Sequence, residues 1–296
     1  MNIMIIGTLL LLVFNSCAEN KNIITSANSI QLGTESTLDV ITWNIENFPK
    51  QNGSTVDYLA DLILLLDVDI IALQEIGDDD YFNQLVDQLN GWSGFRTGGS
   101  WGLAYIYKSE IIINRIEEIQ SLNNYNLTRT PLLMELKWGD ENVYIINNHY
   151  KCCGNGTIEN EYDDEEYRRL QSCILTKTYI ESNLDDKNVI LVGDFNDELS
   201  DPEVANVFIN FIDDPENYLF VDKNIATGSS TNWSYPSWPS HLDHILITNE
   251  LFDEFANTES GVETIRVEEK LDEGWSEYEN YISDHRPVGL RLKFSQ

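Results

Sequence analysis

Polar residues that could bind a metal ion or transfer a proton stand at the ends of apolar runs in this chain of 296 residues. Carboxylate and amide oxygens are the ligands that Mg²⁺, Mn²⁺ and Ca²⁺ prefer, and an imidazole beside an Asp suits proton transfer. The segments are Trp43-Asn44-Ile45-Glu46, Gln74-Glu75, Asn148-His149, Gly193-Asp194-Phe195-Asn196, Leu242-Asp243-His244 and Ser283-Asp284-His285-Arg286-Pro287. Each alone could be an ordinary strand end or turn. Their occurrence together in one chain favours a metal-dependent active site.

Such a set of side chains could hydrolyse a phosphate ester. That reaction needs in-line attack by water and positive charge around the phosphoryl oxygens, which a metal ion, two imidazoles and an Arg can supply. An Asp beside a working His fixes the tautomer of the ring and raises its basicity. The sequence therefore predicts a phosphodiesterase or phosphatase that depends on a divalent metal ion.

The apolar runs before these segments predict short strands in mixed sheets, because hairpin-like and helical connections alternate along the chain. Polar residues at strand ends are then expected to gather at one edge. The predicted strands are Leu38–Asn44, Val68–Leu73, Leu103–Tyr107, Ile111–Ile116, Leu132–Trp138, Val143–His149, Val189–Val192, Leu242–Ile247 and Val288–Phe294. The predicted helices are Thr55–Leu66, Asp80–Leu89 and Glu161–Asn183, the last with Tyr167, Leu170 and Ile174 on its inner face.

The order of the polar segments resembles the endonuclease/exonuclease/phosphatase superfamily, whose members include deoxyribonuclease-I-like enzymes. The resemblance runs from about residue 38 to about residue 294. It implies an α/β (α+β) fold, a four-layer sandwich of two mixed β-sheets packed face to face with helices on the outside. It also implies a hydrolase of phosphate ester bonds with Mg²⁺ as its cofactor, or Mn²⁺ or Ca²⁺ in its place.

The same resemblance implies a metal site. Glu75 would be the principal carboxylate ligand with Asn44 as its neighbour. Glu46 would be an outer ligand, and Asp284 would support the site. All four offer oxygen atoms, as a hard divalent cation requires.

The catalytic residues that the resemblance implies are His149, Asp194, Asn196, Asp243, His285 and Arg129. Asp194 would orient or deprotonate the attacking water, and Asn196 would hold the phosphate. His285 would contact the scissile phosphate and be tuned by Asp243. His149 stands where the deoxyribonuclease and sphingomyelinase branches carry a His, and Arg129 matches an Arg that contacts phosphate. His241 and His244 are interpreted as residues that shape the pocket.

The net charge of the chain is −32, with 50 acidic residues against 18 basic ones. A field of that sign repels nucleic acid phosphates, which excludes tight non-specific DNA binding through a broad basic face. It does not exclude an enzyme that meets a phosphate through bound cations and a few local basic residues. We interpret the charge mainly as a source of solubility outside the cytoplasm.

The N-terminus carries an export signal in this interpretation. The apolar run from Ile3 to Phe14 is too short to span a bilayer and has the length of a signal-peptide core. We predict a signal peptide over 1–16 with lipidation at Cys17, and Ser16-Cys17-Ala18 as an ordinary cleavage site is the alternative. Residues 17–36 are predicted to be a flexible linker and 37–296 one monomeric domain. The protein would then be a lipoprotein of the outer membrane or cell surface, or periplasmic or secreted.

Cys152, Cys153 and Cys173 lie in the predicted domain. Because adjacent cysteines rarely bond to each other, one of the first two is predicted to pair with Cys173, with the connectivity left open. A zinc site is the alternative. The loop from Lys151 to Gly156 would be a substrate-facing flap held by that disulfide, or simply a stabilised loop.

Three functions are compatible with these features. An exported endonuclease that cleaves DNA or RNA is favoured. A phosphodiesterase or phosphatase for lipid head groups, like a sphingomyelinase, or for small organic phosphates is the second. A non-catalytic surface-binding protein is the weakest, because a protein that had lost catalysis would be expected to lose its ligand residues first.

Overall fold

The computed structural model describes residues 30–294. The predicted signal peptide, the lipidation site at Cys17 and most of the predicted linker lie outside these residues. The end of that linker, 30–36, is packed on the domain: Leu32 is buried among apolar side chains, and its N–H donates to the carbonyl of Leu66. Within the described residues, the packed domain therefore begins before residue 37.

Twelve strands of the described residues form two six-stranded sheets. They are β1 (Leu38–Phe48), β2 (Ile70–Ile76), β3 (Trp92–Arg96), β4 (Gly102–Lys108), β5 (Ile112–Glu118), β6 (Leu132–Trp138), β7 (Glu141–His149), β8 (Asn188–Asp194), β9 (Tyr218–Phe220), β10 (Asp243–Thr248), β11 (Gly261–Thr264) and β12 (Val288–Leu292). The first sheet has the order β11-β12-β1-β2-β4-β3, and the second has the order β5-β6-β7-β8-β10-β9.

Each sheet contains one parallel pair of strands, β1 with β2 and β7 with β8, and the other pairs are antiparallel. The α-helices are α1 (Gly53–Leu66), α2 (Asp79–Gln88), α3 (Glu165–Asn183), α4 (Ile209–Ile212), α5 (Lys223–Ala226), α6 (Phe252–Phe255) and α7 (Trp275–Tyr281). Parallel neighbours need a crossover connection, which α1 and α3 provide. No helix within residues 30–294 is both long enough and apolar enough to cross a membrane.

Successive side chains of a strand pack in different hydrophobic layers, because they point to opposite faces of the sheet. In β1, Val40 packs between the two sheets, whereas Ile41 and Trp43 face the layer that contains α1. A third cluster lies between the second sheet and α3. The four-layer sandwich with two mixed sheets is therefore confirmed.

Differences from the predicted elements occur at the edges. The strands β3, β9 and β11 were not predicted, because they are short or only half-buried and show little apolar periodicity. The predicted inner face of α3 is wrong for Ile174, which is 37% exposed. The buried face of α3 includes Arg168 and Arg169, whose guanidinium groups hold neighbouring loops by hydrogen bonds to backbone carbonyls.

Candidate active site

The two parallel strand pairs end side by side in a cleft between the sheets. Asn44 lies in β1 where its regular pairing with β2 ends, and Glu75 is the second-to-last residue of β2. His149 and Asp194 are the last residues of β7 and β8, and they pair directly in register. The amide of Asn44 donates to the Asp194 carboxylate at 2.9 Å, which joins the two sheets at the base of the cleft. The cleft has a volume of about 570 Å³.

Asp194 is the common acceptor of this group. Its Oδ1 accepts the N–H of Asn196 at 3.0 Å, and its Oδ2 lies 3.5 Å from Nε2 of His149 and 4.0 Å from Nε2 of His285. Burial raises the pKa of Asp194 to about 7, although the positive charge of His285 acts in the opposite direction. A carboxylate with a pKa near neutrality can both accept and release a proton.

His285 and Asp243 form a buried pair. Nδ1 of His285 lies 2.8 Å from Oδ2 of Asp243, which leaves Nε2 directed toward Asp194. Burial alone would lower the pKa of His285, but the carboxylates of Asp243 and Asp194 outweigh it and raise the pKa to about 10. His285 is therefore an imidazolium at neutral pH. It can stabilise negative charge or donate a proton at Nε2.

His149 has the opposite charge state. Burial, together with the positive charges of Arg129 and His285, lowers the pKa of His149 well below its ordinary value. The ring is therefore neutral, with its Nε2 facing Asp194 and Nδ1 without a partner among the described residues. The two histidines thus give the cleft one neutral and one cationic imidazole.

Carboxylate oxygens that could bind a metal ion lie close together beside Asp194. The carboxylate of Glu75 accepts from the backbone N–H of Asn47 at 2.9 Å and from the side chain of Asn44 at 3.3 Å. Burial and the nearby carboxylate of Asp284 raise the pKa of Glu46, which also forms an ion pair with Lys50. A divalent cation would relieve the repulsion between such carboxylates, so this donor set fits a hard metal ion.

Asn44 is placed to orient carboxylates. Its Nδ2 donates to Glu75 and Asp194, while its Oδ1 accepts the N–H of Glu46 at 3.0 Å. In this arrangement the amide oxygen is engaged by the backbone, and the ligand role predicted for Asn44 stays a prediction. Glu75, Glu46 and Asp284 remain the acidic candidates for metal coordination.

Backbone strain is concentrated at the same place. Five residues other than glycine that line the cleft have a positive φ: Glu46, Asn47, Glu75, Cys153 and Asn196. Such conformations cost of the order of 1–3 kcal/mol each and persist where the surrounding structure enforces them. Gly193 has a φ of 152°, and a Cβ at this position would lie 2.1 Å from the carbonyl oxygen of Asn148. The close approach of β7 and β8 that brings His149 beside Asp194 therefore requires glycine.

Within the described residues, two groups of three side chains have potential ligand atoms within 4.8 Å of one another: Asp194, Asp243 and His285, and Asp222, His241 and His244. The predicted ligands Glu75, Glu46 and Asp284 belong to neither group. We interpret the first group as the proton-transfer centre, because His285 already bonds to Asp243 and hard cations prefer oxygen.

The second group is a closed ionic network behind the cleft. Oδ2 of Asp222 lies 2.6 Å from Nδ1 of His244 and 3.1 Å from Nε2 of His241. The remaining nitrogens of both rings are also engaged, by the carbonyl of Asp197 and the N–H of Ser234. Neither histidine lines the cleft. This network supports the position of β10 and leaves no free donor for a metal ion.

The rim of the cleft carries aromatic residues and one Arg. Arg129 donates from Nε to the carbonyl of Trp101 at 3.1 Å, and its guanidinium lies 5.4 Å from the centre of that ring. Trp238 is 77% exposed at the tip of a turn, and Tyr235 lies against His285 with ring centres 4.8 Å apart. The cleft therefore combines a charged floor with an aromatic rim.

The loop of residues 150–164, called the cleft loop below, connects β7 to α3. The predicted disulfide to Cys173 is wrong: Cys173 is a buried free thiol in the core beside α3, whereas Cys152 and Cys153 are exposed free thiols that line the cleft. The loop is held by Arg169, whose Nη1 donates to the carbonyls of Lys151 and Cys153. Hydrogen bonds from Arg169 of α3 therefore hold the cleft loop in place of the predicted disulfide.

Two positioning residues were missed in the sequence. Nε2 of Gln74 donates to Oδ1 of Asn147 at 2.7 Å, which links the two sheets beside Glu75 and His149. Asn147 donates in turn to the carbonyls of Leu73 and Ala104. The available signal was an amide side chain one residue before Glu75 and another two residues before His149 in otherwise apolar strands, because a buried amide requires a partner.

A family model described as Endonuclease/Exonuclease/phosphatase family matches residues 41–285. No curated protein gives a significant match to the chain. Similar solved structures include D. rerio TDP2 complexed with single strand DNA product, at 19% identity and a TM-score of 0.67, with 88% of this chain and 100% of that chain covered. The human Nocturnin catalytic domain with bound sulfate anion has 17% identity, a TM-score of 0.60 and coverages of 88% and 94%. A Bacteroides vulgatus endonuclease/exonuclease/phosphatase has 14% identity, a TM-score of 0.62 and coverages of 88% and 100%.

Proposed function

From the premise that this chain belongs to the endonuclease/exonuclease/phosphatase family and hydrolyses phosphate esters, we propose that it is an exported, divalent-metal-dependent endonuclease for unpaired DNA or RNA. The observation that carries the proposal is the convergence of Asp194, His149 and the Asp243–His285 pair on one cleft. The aromatic rim of that cleft supports a nucleic acid as the substrate.

Each catalytic side chain has a task in this proposal. Asp194, with a pKa of about 7, accepts the proton of the attacking water. His285, held by Asp243, presents a cationic Nε2 to the phosphoryl group, and Arg129 adds a second positive charge at the rim. His149 is neutral and donates a hydrogen bond from Nε2.

Glu75, with Glu46 and Asp284, would hold a divalent ion, most simply Mg²⁺ or Mn²⁺. When bound, the ion would supply positive charge to the phosphoryl oxygens. The protein's own residues place the carboxylates: Asn44 and the N–H of Asn47 fix the orientation of Glu75.

The preference for unpaired strands rests on charge and stacking. The cations at the cleft are few, since Arg169 is already neutralised by Asp197 at 2.7 Å. A net charge of −32 further disfavours the many phosphate contacts that a duplex would require. Bases stacked on aromatic side chains contribute about 1–3 kcal/mol each without such charge, and Trp101 and Trp238 are exposed at the rim. The D. rerio relative in complex with a single-strand DNA product is consistent with this preference.

The test is an assay of the full chain with Mg²⁺ or Mn²⁺ on a single-stranded oligonucleotide, plasmid duplex, RNA, sphingomyelin and inositol phosphates in parallel. We expect single strands to be cut internally and excess chelator to stop the reaction. Trp238→Ala and Trp101→Ala should raise KM for single strands by about tenfold, whereas Ile112→Ala, on exposed β5, should not. Faster hydrolysis of sphingomyelin than of nucleic acid would favour the lipid function, for which the exposed Trp238 would be the membrane-facing residue.

Export is a separate part of the proposal. It is supported by the apolar run Ile3–Phe14 and by Cys17 directly after it. We propose a monomer that is tethered to a membrane through a lipid on Cys17. The wild-type chain should incorporate labelled fatty acid and Cys17→Ser should not, and an unlabelled wild type recovered from the culture medium would instead indicate ordinary secretion.

A further inference from the structure

Two adjacent thiols meet at the edge of the cleft. The Sγ atoms of Cys152 and Cys153 are 2.9 Å apart, and the S–H of Cys153 donates to the other sulfur. In an extended chain adjacent side chains point in opposite directions. Here Cys153 has a φ of 73°, which returns its side chain to the side of Cys152. The pair is thus brought together by a backbone conformation that costs energy in a residue with a Cβ.

The backbone on both sides of the pair is fixed. Arg169 binds the carbonyl of Lys151 at 2.8 Å and that of Cys153 at 2.7 Å. The carboxylate of Glu166 accepts the N–H of Gly156, and a Cβ on Gly154 would collide with that carboxylate. The two thiols therefore face each other on a segment whose carbonyls are held in place.

The two thiols differ in their surroundings. The Lys151 ammonium lies 3.9 Å from Sγ of Cys152, and Cys152 is exposed to reagents in solution. The hydrogen bond to Cys152 raises the pKa of Cys153, so Cys153 retains its proton. Cys173 is buried in the core and cannot be reached by a soluble reagent without unfolding.

We propose that Cys152 and Cys153 are a redox-active dithiol, a modification site that an external small disulfide such as oxidised glutathione converts into a vicinal disulfide. The Cys152 thiolate attacks one sulfur of the reagent, so that a mixed disulfide forms and one glutathione leaves as its thiolate. Cys153 then loses its proton and attacks Sγ of Cys152, which expels the second glutathione. Two thiols are oxidised, one external disulfide is reduced to two thiols, and the released thiolates take up the protons.

Oxidation of the pair changes the cleft, because both cysteines line it together with Arg129 and His149. The two separate thiols form the part of the cleft wall that faces a substrate phosphate together with the Arg129 guanidinium. A disulfide draws the two sulfurs together and removes both S–H donors from that wall, so the reduced and oxidised enzymes differ in substrate affinity. Adjacency strains the disulfide, and strained, exposed disulfides have higher reduction potentials and are readily reversed.

The test uses the full chain equilibrated over a series of reduced and oxidised glutathione ratios, alkylated and digested with trypsin. Both thiols fall in the peptide from Cys152 to Arg168, and Cys173 falls in the peptide from Leu170 to Lys177. The expected product in oxidised buffers is the first peptide, two hydrogen atoms lighter and unalkylated. A link to Cys173, a stable glutathione adduct on the wild type, or full alkylation at every ratio would overturn the proposal.

Variants distinguish the attacking thiol, Cys152, from the resolving thiol, Cys153. Cys153→Ser should trap glutathione on Cys152, because no resolving thiol remains, and Cys173→Ser should form the internal disulfide as the wild type does. The KM of the oxidised wild type should differ several-fold from that of the reduced form, with kcat changed by less than about twofold. Cys152→Ser/Cys153→Ser should show one KM at all ratios, and a redox-dependent KM in this variant would refute the assignment. The peptide readout does not depend on which phosphate ester the enzyme cleaves.

Discussion

At the scale of single residues, the cleft separates the charge states of two histidines that have the same intrinsic chemistry. His285 lies beside the carboxylates of Asp243 and Asp194, whereas His149 is buried near the positive charges of Arg129 and His285. The environment therefore makes one imidazole cationic and the other neutral. The acid Asp194 lies between them.

Replacing Asp243 with Asn should test whether the Asp243 carboxylate keeps His285 cationic. Without the Asp243 carboxylate, the pKa of His285 should fall from about 10 toward its ordinary value of 6.5. We expect kcat/KM to fall by about a hundredfold or more, and the alkaline limb of its pH profile to move to lower pH. Asp253→Asn, which removes an exposed acid of α6, is the matched control. An unchanged alkaline limb in Asp243→Asn would show that His285 is not the group that titrates there.

The Asp222–His244 pair gives a prediction about stability. Burial alone would lower the pKa of His244, but the Asp222 carboxylate outweighs burial and raises that pKa. The two histidines in turn lower the pKa of Asp222, although burial acts in the opposite direction. The His244 contribution is thus complete below its ordinary pKa of 6.5 and is lost as pH rises through the raised value. His244→Gln should cost about 3 kcal/mol or more near pH 6 in urea unfolding. A loss that grows as the solution becomes alkaline would contradict the pairing.

At the scale of elements, the site depends on how the sheets are fastened together. Gln74 and Asn147 link β2 to β7 by a buried hydrogen bond of 2.7 Å, one residue from Glu75 and two from His149. A buried amide that loses its partner costs about 1–3 kcal/mol. The bond therefore has consequences both for stability and for the relative position of the two functional residues.

A double-mutant cycle with Gln74→Leu and Asn147→Leu should measure this link. Each single change already removes the hydrogen bond between Gln74 and Asn147, so the double variant should lose less unfolding free energy than the sum of the two single losses, by about 1 kcal/mol or more. Each single change should also lower kcat by about tenfold, because Glu75 and His149 lose their common anchor. Gln84→Leu, exposed on α2, should alter neither quantity. Strict additivity would mean that the two side chains act independently.

At the scale of the whole molecule, the net charge of −32 limits how a polyanion can be bound. Among the described residues that line the cleft, Arg129 is a cation without an ion pair, and His285, although paired with Asp243 through Nδ1, directs its Nε2 into the cleft. Binding must therefore rely on local contacts, stacking and bound cations, with a small contribution from counterion release.

The salt dependence of KM should show how few phosphate contacts the enzyme makes. With single-stranded DNA at a fixed Mg²⁺ concentration, two phosphate contacts predict a slope of log(1/KM) against log[NaCl] of about −1 to −2. Arg129→Met should make the slope shallower by about 0.7. Arg266→Met, which changes an exposed Arg that is paired with Glu269 and does not line the cleft, should leave the slope unchanged. A steep slope in the wild type would indicate a broad basic surface and would contradict the charge argument.

The sequence by itself determined the family, the sandwich of mixed sheets and the identity of the residues at the strand ends. These follow from local patterns: apolar runs form strands, and polar residues such as Asp194 that interrupt them must end at a solvated edge. The sequence could not give β3, β9 and β11, because a short or half-buried strand is defined by its partner strand rather than by its own residues.

Only the tertiary structure decided how the site is held and charged. The pairing of Gln74 with Asn147, the neutral state of His149, and the anchoring of the cleft loop by Arg169 in place of a disulfide to Cys173 all depend on residues far apart in the chain. Burial and the sign of the nearest charge set a pKa, and the partner across the cleft sets a hydrogen bond. Neither quantity is a property of a local segment, so neither could be obtained before the two sheets were placed face to face.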